Sequence, residues 1–339
     1  MNPSAINPEA FRDALIDWFS AHRKDYPWRR TRDPWAILVS EMMLQQTQVA
    51  TVLDRGYFTR WMKRFPTPAE LAAAAESEVL SLWEGLGYYN RARNLQRAAT
   101  VIRDEHDGRF PRELSTIESL PGIGRYTAAA IYSFAFNKPA PLVDANVARV
   151  IARLYHFDQL IDTTAGQKFL WNTAAHLLDQ QRPRDFNSAL MELGQTICKP
   201  RALRCKECPV ADWCQSYQQD RDPSALPIKK PKRDTALVDE HAIWSQRSDG
   251  AVLLQCESGT RRKGLRKLPL RSVEHVANLP VIYRSTYGIT HHRVTLTIYQ
   301  CDCVKDLQSG ESWVPITDLK STPMASPFRK ALDQLLTSQ

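Results

Sequence analysis

The chain lacks any apolar run of the roughly 18 residues that a membrane-spanning helix needs. Residues 1–10 carry neither the basic stretch nor the apolar stretch of a secretory signal peptide. Internal repeats and low-complexity segments are also missing from the sequence. These absences argue against a membrane protein, and we expect a cytoplasmic location, associated with the nucleoid if the source is bacterial.

Cysteine is scarce, with seven in 339 residues, which in a reducing compartment points to metal ligation or free thiols and not to a disulfide framework. Acidic residues are outnumbered by basic ones, 37 to 45, and the formal charge of +8 favours a polyanionic partner such as nucleic acid. Hydrophobic residues make up 43% of the chain, enough for a buried core. The length predicts two domains.

Helical periodicity dominates from Pro8 to about Gln219 and predicts an all-α first domain, residues 1–222. The predicted helices are Pro68–Trp83, Asn90–His106, Tyr126–Phe136, Asn146–Tyr155, Ala165–Gln180 and Asp185–Ile197. Residues 223–234 are rich in proline, lysine and aspartate, which predicts a linker.

A smaller α+β domain, residues 235–339, is predicted from β-branched and aromatic stretches. Its predicted elements are strands Ala236–Gln246, Gly250–Cys256 and Thr290–Cys301, a hairpin turn at Ser248–Gly250 and a last helix, Phe328–Leu336. The fold class is therefore mainly α, followed by a smaller α+β domain.

Four cysteines close the helical domain in the pattern C-x6-C-x2-C-x5-C: Cys198, Cys205, Cys208 and Cys214. Four thiolates so close in sequence can surround one metal centre, and the spacing alone leaves zinc slightly ahead of iron–sulfur. The same spacing resembles the [4Fe-4S] loop of the endonuclease III and MutY glycosylases. That resemblance implies a [4Fe-4S] cluster on these four residues. The other cysteines, at 256, 301 and 303, are expected to be ordinary thiols.

Two glycines, Gly122 and Gly124, stand between two predicted helices, where backbone N–H groups can approach a phosphate closely. Asp144 follows about 20 residues later and heads the next predicted helix, so from its position alone an N-cap is the favoured role. The arrangement resembles the helix-hairpin-helix of the same superfamily. In that resemblance Asp144 is the carboxylate that stabilises positive charge on the deoxyribose.

The segment Ser40–Val49 places Glu41 beside an apolar, amide-rich surface, where burial could raise its pKa. On the sequence alone, a solvated helix residue is the simpler interpretation. The segment resembles the MutY motif, in which this glutamate protonates the adenine ring. Tyr126 stands where bifunctional relatives carry a nucleophilic lysine, so strand cleavage by a lyase route is expected to be absent or weak.

Other site residues are implied by the same resemblance. Trp28 and Arg29 match residues that line the adenine side, and Asn146 and Glu192 match polar supports of the site, although each also has an ordinary structural explanation. Residues that enter the DNA stack are implied at Gln46, Leu86 and Tyr88. The arginines further along, at positions 91, 93, 97 and 103, could meet phosphates, although the residues of a basic helix are more often solvated.

The last domain resembles, more loosely, the Nudix-like domain with which MutY proteins recognise 8-oxoguanine. No Nudix box of spaced glutamates is present, so pyrophosphate hydrolysis is not expected. Where the family has Phe-Ser-His, this chain has Ile289-Thr290-His291. Thr290 keeps a hydroxyl, whereas Ile289 loses the aromatic face, so discrimination against guanine is expected to be altered.

The resemblance implies an all-α domain built as a six-helix module (31–138) and an iron–sulfur module (1–30 plus 139–222). It also implies a monomeric base-excision enzyme that flips out adenine mispaired with 8-oxoguanine or guanine in double-stranded DNA and hydrolyses its bond to the sugar. Two alternatives are an endonuclease III-like pyrimidine glycosylase and lyase, and a non-catalytic DNA-binding redox sensor. Tyr126 and the β-rich domain count against the first, and the pairing of Glu41 with Asp144 counts against the second.

Overall fold

The computed structural model describes residues 7–231, 234–259, 262–302, 304 and 306–337. Lys232 and Arg233 of the predicted linker, and Cys303, lie outside the described residues. The chain divides into two compact units, the first formed by residues 1–45 and 101–231 and the second by residues 46–100 and 232–339. The module bounds drawn from the sequence stay a prediction.

Helices build the chain up to residue 218. They are α1 (Pro8–His22), α2 (Pro34–Leu44), α3 (Val49–Asp54), α4 (Tyr57–Arg64), α5 (Pro68–Ala73), α6 (Glu76–Trp83), α7 (Asn90–Glu105), α8 (Leu114–Ser119), α9 (Arg125–Phe134), α10 (Ala145–Leu154), α11 (Thr164–Leu177), α12 (Pro183–Thr196) and α13 (Gln215–Gln218). No helix among the described residues is both long and apolar enough to cross a membrane.

The predicted helix Pro68–Trp83 is wrong as a single element, because the chain breaks between α5 and α6. Ala74 and Ala75 are both extended there, with ψ of 148° and 139°. The Gln96 side chain donates hydrogen bonds to the carbonyls of Leu71 and Ala74, at 3.3 and 2.8 Å. A side chain distant in sequence thus satisfies the end of α5, which the apolar periodicity alone cannot reveal.

The core of the first unit lies where α1, α10, α11 and α12 meet. Phe11 and Leu15 of α1 are fully buried together with Ile151 of α10, Leu170 of α11 and Phe186 of α12. Burying side chains of this size contributes about 1.5–3 kcal/mol each. This packing holds α10 against α12.

The predicted linker begins as a packed segment of the first unit. Leu226 is buried, and its carbonyl accepts a hydrogen bond from Arg153 at 3.0 Å. The carbonyl of Ile228 accepts another from the backbone of Ile161 at 3.0 Å. Residues 223–231 are therefore attached to the helices, although their composition is that of a linker.

The C-terminal part of the second unit has two three-stranded sheets and two helices, which confirms an α+β region. Its elements are β1 (Ala236–Trp244), β2 (Val252–Cys256), β3 (Arg266–Lys267), α14 (Val273–Val276), β4 (Val281–Ile289), β5 (His292–Gln300), β6 (Glu311–Val314) and α15 (Ser326–Thr337). The first sheet has the order β1-β5-β4, in which β1 is parallel to β5 and β4 is antiparallel to β5. The second sheet has the order β3-β2-β6. The predicted turn at Ser248–Gly250 is confirmed by the bond from Gly250 N to Arg247 O.

Strand β4 is missing from the sequence prediction, and Thr290 and His291 are wrongly assigned to a strand. These two residues form the turn between β4 and β5, and Thr290 has a φ of 53°. Ile289 pairs with His292 at the end of the ladder. Because the turn contains neither Gly nor Asn, the usual composition of a two-residue hairpin does not mark it.

Candidate active site

Helix α2 positions Glu41 in the core of the first unit. Asp33 caps its first turn by accepting hydrogen bonds from the backbone of Trp35 and Ala36, and Pro34 occupies the first helical position. All residues from Trp35 to Met43 are buried, so this part of the helix is enclosed on every side. Glu41 is the acid of this stretch and is only 7% exposed.

Burial raises the pKa of Glu41 from its ordinary value of 4.5 to about 7. The hydroxyl of Tyr126 donates a hydrogen bond to the carboxylate and opposes this rise, whereas the negative charge of Asp144 adds to it. Near neutral pH a large fraction of Glu41 therefore holds its proton. A carboxyl group in this state can act as a general acid.

Asp144 is the N-cap of α10, as its position in the sequence predicts. Its Oδ1 accepts a hydrogen bond from the backbone of Val147 at 2.7 Å, and its Oδ2 accepts one from Nδ2 of Asn146 at 2.9 Å. Burial raises the pKa of Asp144, and these hydrogen bonds oppose the rise because they favour the charged form.

Tyr126 stands between the two acids. Burial raises the pKa of its hydroxyl well above the ordinary value, and the charges of Glu41 and Asp144 raise it further. The hydroxyl also lies 4.0 Å from the sulfur of Met191. Three helices, α2, α9 and α10, thus bring Glu41, Tyr126 and Asp144 together within the first unit.

Arg29 and Glu192 form a buried ion pair, with Nη2 2.7 Å from Oε2. The Glu192 side chain is fully buried, and its other oxygen, Oε1, has no hydrogen-bond partner among the described residues. Arg29 also lies over the ring of Tyr26, which packs at 5.3 Å against buried Trp28. An unpaired buried carboxylate oxygen can accept a hydrogen bond from a ligand.

Arg149 joins the Asp144 region to the cysteine loop. Its guanidinium donates to Oδ1 of Asn146 at 2.9 Å and to the carbonyls of Gly194 at 2.7 Å and Cys198 at 2.8 Å. A Cβ on Gly194 would stand 2.7 Å from the Cβ of Asn146, so only glycine allows this approach. Arg149 was not predicted from the sequence. The signal that could have revealed it is an arginine on the apolar face of a predicted helix.

Cys198, Cys205, Cys208 and Cys214 line one small cavity of about 30 Å³. Arg153, which is 2% exposed, places Nη1 3.4 Å from the sulfur of Cys198 and 2.6 Å from the carbonyl of Lys199. Within the described residues, no group of three or more His, Cys, Asp or Glu is arranged around a single metal ion. Four thiols around one cavity, with a cation beside them, are a donor set that fits an iron–sulfur cluster.

Comparison with known proteins identifies the family to which this chain belongs. The family model described as HhH-GPD superfamily base excision DNA repair protein matches residues 39–174. The adenine DNA glycosylase of Mycobacterium tuberculosis is 39% identical over 238 residues, covering 70% of this chain and 76% of that protein. The chain belongs to the adenine DNA glycosylase family. The MutY resemblance drawn from the sequence is thereby confirmed.

Two further relatives define the extent of the likeness. The adenine DNA glycosylase of Mus musculus is 45% identical over 239 residues, which is 67% of this chain and 46% of that protein. The chain thus spans about half the length of the first relatives that it matches. A thermostable thymine-DNA glycosylase of known structure is 32% identical, with a TM-score of 0.57, and the match covers 62% of this chain and 97% of that one.

The hairpin of this adenine DNA glycosylase family member joins α8 to α9. Gly122 has a φ of 75° and, like Gly124, is exposed, whereas Ile123 between them is buried. The mainly helical glycosylase fold with a helix-hairpin-helix is therefore confirmed. Exposed backbone anchored by one apolar side chain suits the close approach of a phosphate.

The predicted stack-entering residues of the family lie in the second unit. Gln46 and Tyr88 are exposed, Tyr88 at 52%, and both have positive φ, 56° and 47°. Leu86 is only 5% exposed, so in this conformation it is a packing residue. Arg91 is buried as well, which contradicts its predicted contact with a phosphate.

The tip of the β4–β5 hairpin carries the residues that replace the family's Phe-Ser-His. Thr290 is exposed, and its hydroxyl donates to the carbonyl of Ile289 at 2.7 Å. The rings of His291 and His292 lie 4.1 Å apart. Thr290 thus presents an exposed side chain in the turn of the hairpin.

Proposed function

We propose that this protein is a monofunctional adenine DNA glycosylase that removes adenine mispaired with 8-oxoguanine, or with guanine, from double-stranded DNA. The observation that carries the proposal is the juxtaposition of Glu41, whose pKa is about 7, with Tyr126 and Asp144. One acid holds a proton near neutral pH, and hydrogen bonds hold the other in place and oppose the rise in its pKa that burial causes. Hydrolysis of an N-glycosidic bond needs this pair.

The chemistry follows from those two groups. Glu41 gives its proton to a nitrogen of the adenine ring, and the bond between that base and the sugar carbon breaks with both electrons leaving on adenine. Positive charge develops on the sugar, and the Asp144 carboxylate stabilises it. Water adds to the sugar carbon, and the proton that this water loses passes to a carboxylate. The products are free adenine and an abasic site. Tyr126 holds Glu41 in place and provides no amine for strand cleavage.

Recognition of the base is assigned to the Arg29–Glu192 pair. Adenine carries an exocyclic amino group, a donor that the unpaired Oε1 of Glu192 can accept. Trp28, buried beside Tyr26, supplies an aromatic wall for the ring. A base with a carbonyl at the same position would place its oxygen against Oε1 of Glu192. Because both atoms are acceptors, such a base should bind more weakly.

Phosphate contact is assigned to basic surfaces of the first unit. A cleft of about 710 Å³ adjoins Arg29 and is lined by a majority of cations. Its basic lining residues are Arg23, Lys24, Arg29, Arg30, Arg32, Arg182 and Arg184, against Asp25 and Asp185. The hairpin glycines and the exposed basic residues of the cysteine loop, such as Lys199 and Arg201, add to this field.

Cys198, Cys205, Cys208 and Cys214 are the proposed ligands of a [4Fe-4S] cluster. When bound, the cluster supplies a rigid core for the loop of residues 198–214. Arg149 and Arg153 hold the carbonyl of Cys198, and Arg149 also holds Asn146 beside Asp144. The C-terminal region is proposed to be Nudix-like and to read the lesion with the Thr290 hairpin.

A glycosylase assay tests the proposal directly. The purified protein is incubated with a duplex that contains one A opposite 8-oxoguanine, and released adenine is measured before alkali is added. We expect adenine release with strand nicking only after alkali, and release slowed by at least about 10²-fold in the Glu41→Gln variant. Nicking without alkali on oxidised-pyrimidine DNA would favour the endonuclease III-like alternative, and binding without base loss would contradict any glycosylase.

A further inference from the structure

Arg91 stands in the first turn of α7, at the centre of the second unit's helical part. It is only 7% exposed, and burial lowers its pKa to about 10, so the guanidinium is still charged at neutral pH. Burying a cation is costly, and a site that does so needs a compensating arrangement. The surroundings of Arg91 show what that arrangement is.

The Arg91 guanidinium contacts two separate loops. Its Nη2 lies 3.0 Å from the carbonyl of Leu86 and 3.2 Å from that of Gly87. The same nitrogen lies 3.2 Å from Oγ1 of Thr47. Leu86 and Gly87 belong to the segment that ends in Tyr88, and Thr47 follows Gln46. One side chain therefore joins the segments that carry Gln46 and Tyr88, which the sequence predicts to enter the DNA stack.

The aromatic neighbours of Arg91 complete the arrangement. Its guanidinium lies 5.3 Å from the ring centre of Trp83 and 5.6 Å from that of Tyr88, within the range of cation–π attraction. Trp83 also donates from Nε1 to the carbonyl of Gly87 at 3.0 Å. The backbone of Arg91 donates to the carbonyl of Tyr88 at 2.9 Å. Arg91 thus contacts both the ring and the backbone of Tyr88, while about half of the tyrosine's surface faces solvent.

The backbone of both segments is in a conformation that needs such support. Gln46 and Tyr88 have φ of 56° and 47°, the left-handed region that residues with a side chain adopt at a cost of roughly 1–3 kcal/mol each. Glycine would adopt this region freely, but it would leave no side chain to enter the base stack. The surrounding contacts must therefore over-determine the two positions.

We propose that Arg91 is a positioning residue that sets the Gln46–Thr47 and Leu86–Tyr88 segments relative to each other before DNA binds. The inference rests on the proposed function and on the expectation from the sequence that Gln46 and Tyr88 enter the DNA stack. Pre-set segments lose less conformational entropy on binding, so base extrusion is faster. A planar fork can bond several carbonyls and lie beside a ring at once, which an ammonium group cannot.

Hydrogen exchange of the DNA-free protein tests the first part of this proposal. Arg91→Met is compared with Arg91→Lys and with Lys63→Met, which removes a charge from an exposed position of the same unit. We expect exchange at residues 45–48 and 84–89 to become at least about tenfold faster in Arg91→Met, less so in Arg91→Lys, and to be unchanged in Lys63→Met. Faster exchange in only one of the two segments would overturn the proposal.

Base extrusion tests the second part. A duplex with 2-aminopurine beside the mispaired adenine brightens as the stack opens, and the single-turnover rate of adenine release is measured in parallel. In Arg91→Lys, which retains the charge and packing volume, we expect both rates to fall about tenfold while the pH profile keeps its shape. A changed pH profile would place Arg91 in the chemistry and contradict a positioning role.

A double-mutant cycle with Tyr88→Ala decides whether Arg91 acts through Tyr88. If it does, Arg91→Lys lowers the extrusion rate much less in the Tyr88→Ala background than in the wild-type background. Equal effects in both backgrounds would sink the inference. Failure of the proposed function is a different result, namely that the wild-type protein releases no adenine, and the exchange experiment remains decisive in that case.

Discussion

Asn146 donates a hydrogen bond from Nδ2 to Oδ2 of Asp144 at 2.9 Å, while its own Oδ1 accepts one from Arg149 at 2.9 Å. The amide can therefore present only its NH2 group to Asp144, because the arginine has no acceptor to offer. The carboxylate is fixed in position, and this hydrogen bond opposes the rise in its pKa that burial causes. Arg149 in turn is anchored on the carbonyl of Cys198, so the cysteine loop contributes to this orientation.

Replacing Asn146 with alanine removes the hydrogen bond that opposes the raised pKa of Asp144. The pKa of Asp144 should rise further, so the acidic limb of the rate profile should move to higher pH. A lost charge-assisted hydrogen bond of about 1.5–3 kcal/mol corresponds to a rate loss of roughly 10–100-fold. Single-turnover excision between pH 4.5 and 9 measures both effects. The matched control is Asn172→Ala, an exposed position of α11, and an acidic limb that does not move would contradict the argument.

Glu41→Gln should abolish acid assistance while preserving the shape of the pocket. General acid catalysis contributes about 10²–10⁴-fold, so the excision rate should fall by that factor. In the wild-type enzyme the rate should decline as pH rises through about 7, because the protonated fraction of Glu41 falls. The same pH series, with the exposed Glu118→Gln as control, checks the prediction. A wild-type rate that is constant from pH 6 to 8.5 would be incompatible with Glu41 as the acid.

Replacing Glu41 should change the stability of the protein in the opposite direction from its activity. The folded-state pKa of Glu41 is raised, so the folded state binds more protons than the unfolded state between pH 4.5 and about 7. Stability is unaffected below this window and is lost as pH rises through it. Glu41→Gln should therefore stabilise the protein by on the order of 3 kcal/mol at pH 8 and by little at pH 4.5. Urea unfolding midpoints at the two pH values test this, and an equal gain at both would contradict it.

The candidate site was predicted through short motifs that carry the family resemblance, because position alone favours an N-cap for Asp144 and a solvated residue at position 41. The helix-hairpin-helix glycines and the four cysteines each form a short motif, and Asp144 follows the hairpin at a fixed distance. The pocket depends instead on long-range packing. Glu41 acquires its raised pKa from burial in the folded chain and from the charge of Asp144, which lies about 100 residues further along the sequence. Its sequence neighbourhood alone also fits a solvated residue.

The features that the sequence did not reveal depend on contacts distant in the chain. Gln96 ends α5 from another helix, so the break at Ala74 has no local cause in the apolar pattern. Arg91 reads as a surface cation on a basic helix, and only the tertiary fold shows that it faces inward. Strand β4 alternates between exposed and partly buried residues, a weak hydrophobic pattern, since both its faces are partly solvated.

The proposed cluster predicts a visible spectrum and a thermal response. The purified protein should absorb broadly near 400 nm, roughly as a thiolate-bound iron–sulfur cluster does. Cys214→Ser should lose most of this absorbance and lower the melting temperature, because the loop of residues 198–214 loses its rigid core. Cys256→Ser, a thiol of the second unit, is the control and should change neither. A colourless protein that contains stoichiometric zinc would refute the assignment.

Thr290 offers a test in which stability and specificity move in opposite directions. Its φ of 53° is strained for a β-branched residue, so Thr290→Gly should relieve the strain and raise the free energy of unfolding by about 1 kcal/mol. The same change removes the hydroxyl proposed to read the lesion. The ratio of excision rates on A:8-oxoguanine and A:G duplexes should then fall by several-fold, as expected for one lost hydrogen bond of about 1 kcal/mol. Thr290→Ser keeps the hydroxyl and should retain the ratio. If Thr290→Gly also retains it, the hydroxyl at the hairpin tip does not read the lesion.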